Sequence, residues 1–113
     1  MHELSIAMSI VEICTDELEK SGAKTVTAVE LEIGSLAGIQ TKALEFSWDV
    51  ATKDSAVDGA ALSIDHVSAE ARCLHCNKKF NINNLYDSCP YCDNYGLDVL
   101  KGKELRIKAL TVE

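Results

Sequence analysis

Two Cys-x-x-Cys pairs, Cys73/Cys76 and Cys89/Cys92, are separated by twelve residues. Four thiolates carried on two tight turns can converge on one tetrahedral ion, the arrangement that structural zinc requires. The residues behind the pairs agree with this. Asn77 follows the first pair and Asp93-Asn94 the second, which puts residues tolerant of positive φ where each knuckle must turn. Between Arg72 and Leu100 the larger apolar side chains are few, so this stretch is too poor in core to fold unaided. Zinc, at ~10–16 kcal/mol in small fingers, covers that deficit.

Three other chemistries use the same residues. Disulfides suit a secreted chain, but Glu3, Glu12, Asp16, Glu17 and Glu19 interrupt any signal-peptide apolar region at the start. Cys89-Pro90-Tyr91-Cys92 alone is similar to the redox pair of glutaredoxins, yet a second pair lies upstream and no βαβ frame surrounds it. Iron fits a rubredoxin-like set of four thiolates and stays open beside zinc. The fifth cysteine, Cys14, falls on an apolar helical stripe without basic neighbours and reads as a small buried hydrophobe.

The other residues with metal-binding chemistry open the chain. Met1 precedes a side chain as large as His2, so an initiator methionine should be retained and supply an α-amine of pKa about 7.7–8.0. That amine, a deprotonated backbone amide and the His2 imidazole can chelate in one plane, a nitrogen-rich geometry suited to Ni(II) or Cu(II). By itself a histidine at position 2 is more often solvated than metal-bound. His75, inside the first pair, reads as an exposed knuckle residue, and His66, with the strand parity of Leu62 and Ile64, as a partly buried, hydrogen-bonded one.

The elements that must hold these groups follow from periodicity. Leu4, Ala7, Met8, Val11, Cys14 and Leu18 recur at helical spacing, and the helix should stop near Ser21-Gly22. Val29, Leu31 and Ile33 alternate with glutamates in a strand from about Thr25 to Gly34. A second helix from Thr41 to about Lys53 shows Leu44, Trp48 and Ala51 on one row and Ala43, Phe46 and Val50 on another, a wide face that should cover the sheet. A strand through Leu62 and Ile64 should run on past Val67 towards Cys73, and a last strand carries Leu105, Ile107 and Ala109. Because the insert leaves one strand and returns to the next, these two should form a long interrupted hairpin. The expected fold is α/β: a two-layer sandwich of two helices on a three-stranded sheet, with an inserted zinc-ribbon-like domain at 72–99 and the α/β domain at 1–71 and 100–113.

Composition narrows the function classes. The 113 residues, 47% hydrophobic, suffice for one modest core, and eleven basic against eighteen acidic residues leave a net charge of −7. Near the first knuckle only Arg72, Lys78 and Lys79 are basic, so nucleic acid is a poor partner. No segment is long enough to span a membrane, and neither a catalytic triad nor a phosphate loop is visible.

Met1-His2-Glu3-Leu4-Ser5, the Ile33-Gly34 strand end and the two cysteine pairs, including Cys89-Pro90-Tyr91-Cys92, closely resemble the HypA/HybF family of hydrogenase-maturation nickel chaperones over the whole chain. The resemblance implies a nickel domain with His2 as key ligand, joined by the Met1 α-amine and by Glu3 through its backbone, and a zinc domain with Cys73, Cys76, Cys89 and Cys92 as ligands. It implies no enzyme but a cytoplasmic metallochaperone that delivers Ni(II) to the large subunit of [NiFe]-hydrogenase, alongside a nickel-insertion GTPase; a homodimer stays open. Related sequences often carry an acidic residue in the loop after the first strand, where this chain has Gln40. The competing reading is a zinc-ribbon protein-interaction adaptor without nickel transfer.

Overall fold

The computed structural model describes residues 2–113. In chain order its elements are α1 (His2–Ser21), β1 (Val26–Gly34), α2 (Thr41–Thr52), β2 (Ala61–Val67), β3 (Glu70–Cys73), β4 (Lys79–Asn81), β5 (Leu97–Lys101) and β6 (Leu105–Val112). They make two three-stranded sheets, ordered β2-β1-β6 and β4-β3-β5. The mixed α/β architecture with a ribbon-like metal unit is thus the one expected.

The connectivity differs from expectation at two points. The strand anticipated to continue past Val67 is broken at Ser68-Ala69, because Ser35 intercepts it: the Ser35 N–H donates to the Val67 carbonyl at 2.9 Å, and its hydroxyl accepts the Ala69 N–H at 3.1 Å. The strand after the break belongs to the other sheet. Nor do β2 and β6 pair as arms of a hairpin, since β1 lies between them. Val26, Val29, Leu31 and Ile33 of β1 are all at most 2% exposed, so this strand takes the centre. The interrupted hairpin exists, but one sheet over: β3 pairs antiparallel with β5, aligning Arg72 with Asp98 and Cys73 with Leu97.

Helical faces are also narrower than their apolar rows suggest. On α1 the buried residues are Glu3, Ala7, Ile10, Cys14 and Leu18, whereas Leu4 and Met8 are exposed. On α2 they are Leu44, Trp48 and Thr52, while Phe46 is 74% exposed and Val50 is exposed as well. Trp48 is a core residue as expected, and its indole N–H donates to the Ala60 carbonyl at 3.3 Å, so no buried donor is stranded.

The chain divides into two compact units. One comprises the segment ending at Leu31 with Ile39–Ile64 and Ile107–Glu113; the other comprises Glu32–Gly38 and Asp65–Arg106. The second is wider than the 72–99 insert because backbone bonds tie its flanks together. The Gly34 N–H donates to the Glu104 carbonyl (2.8 Å) and the Leu36 N–H to that of Gly102 (2.7 Å). A Cβ on Gly34 would collide with the Gly102 carbonyl, and one on Gly102, whose φ is +117°, would lie 2.6 Å from the Ala69 Cα. Ala69, Ala71 and Ile82 form the buried centre of this unit, with Leu36, Phe80, Leu97 and Val99 packed around it.

Candidate metal centres

The two cysteine pairs are built as near copies of one another. In each, the first cysteine donates its N–H to the carbonyl five residues on (Cys73 to Lys78, 3.0 Å; Cys89 to Asn94, 2.9 Å). Each accepts at its own carbonyl the N–H four residues on (from Asn77, 3.0 Å; from Asp93, 2.9 Å). Both turns need a left-handed residue, and Asn77 (φ 64°) and Asp93 (φ 60°) supply it, as their positions in the sequence suggest. β3 ends at Cys73, which anchors the first knuckle to the sheet.

The four sulfurs lie within 4.8 Å of one another. Cys73 Sγ is 3.6 Å from Cys92 Sγ, and Cys76 Sγ is 3.7 Å from Cys89 Sγ. A tetrahedron with metal–sulfur bonds of ~2.3 Å has edges of about 3.8 Å, so the spacing fits a single four-coordinate ion. Disulfide spacing would be ~2.05 Å, and all five cysteines are free. Cys73 and Cys89 are fully buried; Cys76 and Cys92 are half-buried.

Backbone N–H groups aim at the sulfurs, as stabilised thiolates require. His75 and Cys76 donate to Cys73 Sγ at 3.4 and 3.5 Å, Tyr91 to Cys89 Sγ at 3.4 Å, and the Asn94 side-chain amide to Cys92 Sγ at 3.5 Å. The backbone N–H of Cys76, helped by that of His75, holds the Cys73 thiol down to about 6. Cys76 moves the other way: the Lys78 backbone favours its thiolate, but burial and the sulfurs of Cys89, Cys73 and Cys92 push it up to about 11. Without a cation, so many neighbouring sulfurs cannot all be charged, and the first proton leaves where backbone donors are densest. A divalent ion would remove that conflict.

His75 is exposed beside this cluster and outside the four-sulfur set. His66, expected to be partly buried, is exposed on β2; the strand loses its alternation after Asp65, just before the break at Ser68. One contact had no signal in the sequence: Lys78 Nζ stands 4.6 Å from the Tyr91 ring centroid, tying the first knuckle to the second.

At the start of α1, His2 is exposed and Glu3 is 4% exposed. Their side chains meet, His2 Nε2 to Glu3 Oε2, at 3.2 Å. The same oxygen accepts the Gln40 backbone N–H at 3.4 Å. Gln40 is the N-cap of α2 and makes no side-chain cap of its own. A carboxylate from another helix therefore does there what a glutamate three residues on does in a capping box, placed favourably for the dipoles of both helix starts. The part of Gln40 that matters is its backbone. The Glu3 side-chain role is missed by a purely apolar reading of α1, although Glu3 shares the helical row of Ala7 and Ile10. Met1 lies outside the described residues.

A family model described as hydrogenase/urease nickel incorporation, metallochaperone, HypA matches residues 1–112. The hydrogenase maturation factor HypA of Geotalea uraniireducens is 49% identical over 113 residues, covering all of both chains. That of Parabacteroides distasonis is 42% identical over 113 residues, covering 100% of this chain and 98% of the relative. Among solved structures, that of the nickel metallochaperone HypA from Helicobacter pylori is 25% identical and superposes with a TM-score of 0.70, covering 99% of this chain and 97% of the other. Four sulfurs placed as one metal ion would need them, in a fold shared along the whole chain, lead to one conclusion: this chain belongs to the HypA family of hydrogenase/urease nickel-incorporation metallochaperones.

Proposed function

We propose that the chain carries Ni(II) at its amino end and delivers it to the large subunit of [NiFe]-hydrogenase, with His2 as the key ligand. The observation that carries this reading is the contact of His2 Nε2 with the buried Glu3 carboxylate. A buried acceptor on the outer nitrogen fixes the orientation of the ring, the usual arrangement behind a metal-binding histidine. Nδ1 is then the nitrogen that closes a chelate ring with the residue's own backbone amide. The Met1 α-amine and the Glu3 backbone complete a nitrogen-rich plane suited to nickel.

Such a site binds and releases for the same reason. Its axial faces admit an incoming thiolate, so the cargo can pass to cysteines of an acceptor ligand by ligand. Binding requires the α-amine to shed its proton, so affinity falls as pH drops below its ordinary pKa of about 7.7–8.0.

Cys73, Cys76, Cys89 and Cys92 hold zinc in this reading, which their spacing and thiolate chemistry fit. Zinc supplies the cross-link and the charge neutralisation that the small core of this unit lacks. The residues' own contribution is to fix two rigid turns, displaying Leu74, Tyr91 and Tyr95, each exposed, for a protein partner. We take the partners to be the hydrogenase large subunit and a nickel-insertion GTPase, and the compartment to be the cytoplasm, where four reduced thiols persist. Among the described residues no helix is long and apolar enough to cross a membrane.

Transfer is the test. Nickel-loaded protein mixed with nickel-free hydrogenase large subunit should lose its metal to the subunit, and His2→Ala protein should transfer none. Equal transfer by both would refute the assignment.

A further inference from the structure

The first cysteine knuckle is built into a sheet and the second is not. β3 ends at Cys73 and β4 begins at Lys79, with Arg72 aligned on Lys79, so the turn between them is gripped by two paired strands. Between β4 and β5, where Cys89 and Cys92 lie, there is no strand. Three kinds of contact join this loop-borne knuckle to the first. They are the sulfur contacts, a backbone bond from the Leu74 N–H to the Gly96 carbonyl at 3.1 Å, and Lys78 against the Tyr91 ring.

Lys78 is fixed before its side chain acts. Its carbonyl accepts the Cys73 N–H at 3.0 Å, and its own N–H supports the Cys76 sulfur. Tyr91 is fixed in the same way, its N–H donating to Cys89 Sγ at 3.4 Å. Each residue thus lends an amide to one pair of sulfurs, and the two side chains meet. Nζ stands 4.6 Å from the ring centroid, well inside the ~6 Å reach of a cation–π contact. Among the described residues no ion pair involves Lys78, so no carboxylate competes for the ammonium. The pair also flanks the two more open sulfurs: Lys78 lies two positions after Cys76, and Tyr91 immediately precedes Cys92.

We propose that Lys78 and Tyr91 are positioning residues for the four-sulfur site, a clasp that seats the loop-borne knuckle on the sheet-borne one and so sets how tightly the ion is retained. The inference rests on the zinc reading of the cysteines. A contact that needs the folded unit, in a unit that needs metal to fold, adds its strength to metal affinity. The chemistry of the pair says which replacements matter. A ring face without its hydroxyl still attracts a cation, and a guanidinium stacks on it as readily as an ammonium does.

Competition with a fluorescent zinc chelator measures the effect in full-length protein. Lys78→Met and Tyr91→Leu should each raise the Kd of the tightly held zinc about two- to fivefold, the worth of an exposed cation–π contact. The double variant should lose no more than either alone, because one contact is removed in all three. Lys78→Arg and Tyr91→Phe should bind zinc as the unaltered chain does. In proton NMR spectra the ring should shift the Lys78 methylene signals upfield in the unaltered and Tyr91→Phe proteins, and not in Tyr91→Leu. Losses that multiply in the double variant would overturn the clasp. So would a loss in Lys78→Met without one in Tyr91→Leu, which means that the charge acts on the sulfurs directly, or Tyr91→Phe binding as weakly as Tyr91→Leu. An unaltered chain that takes up no zinc is the separate result that overturns the zinc reading, and the clasp with it.

Discussion

His2 Nε2 and the Gln40 backbone N–H converge on one oxygen, Glu3 Oε2, at 3.2 and 3.4 Å. One buried carboxylate thus orients the proposed nickel ligand and fastens the start of α2. Replacing it by an amide keeps the shape and removes the charge. Glu3→Gln should weaken nickel binding by about 10–100-fold, the usual cost of losing a partner behind a metal ligand. Calorimetry on untagged protein measures this, and unchanged affinity would show that the contact is incidental.

Zinc removal should affect one compact unit first. The core of Glu32–Gly38 and Asp65–Arg106 centres on Ala69, Ala71 and Ile82, two of them among the smallest apolar side chains. Stripping the metal with a strong chelator should open 65–106 to proteolysis while α1 and α2 keep their helical signal. Simultaneous loss of both would mean that the units fold as one.

Metal-free protein that still keeps the folded knuckles should show cysteines of different reactivity, a difference that vanishes once 65–106 has opened. With Cys73 lowered to about 6 and Cys76 raised to about 11, pH 7.5 lies above the first value and below the second. Cys73 is then largely thiolate and Cys76 largely thiol, and the thiolate is the species that alkylates. Peptide mapping after brief iodoacetamide treatment should find Cys73 modified well ahead of Cys76, with the gap closing as pH rises towards 11. The opposite order would contradict the backbone-donor account. Metal should protect all four.

Gly34→Ala should be among the most damaging small substitutions. The added carbon meets the Gly102 carbonyl, and Gly102 is itself locked against Ala69 at a φ that side chains rarely adopt. Relief requires moving backbone, with strain of this kind costing on the order of 1–3 kcal/mol or more. Thermal unfolding should show a drop of several degrees or more, whereas Gly38→Ala, with nothing within 4 Å, should lose much less and only through its φ of +73°.

What could be read without the structure was local. Cys-x-x-Cys turns, the end of α1 before Gly22 and the limits of β1 depend on neighbours in sequence, and each stands where spacing puts it. Facing and order depend on distant contacts. Both apolar rows of α2 satisfy the helical period, and nothing within the helix says that Leu44 and Trp48 would be buried while Phe46 and Val50 face outward. The central place of β1 and the interception at Ser35 likewise come from pairings across 30 residues or more. At the candidate nickel end, His2 was legible as a ligand type and the carboxylate it meets is the next residue, but the burial of Glu3 and its bond to the Gln40 backbone, 37 residues away, needed the fold.

The central claim is that His2 holds nickel together with a native amino end. Calorimetric titration of untagged protein with Ni(II) at pH 7.5 addresses it directly, beside His2→Ala and a form extended by a few residues before Met1, with intact mass confirming each terminus. The native protein should show one nickel-binding event, lost in His2→Ala and in the extended form. Retention of full affinity in both variants would contradict it.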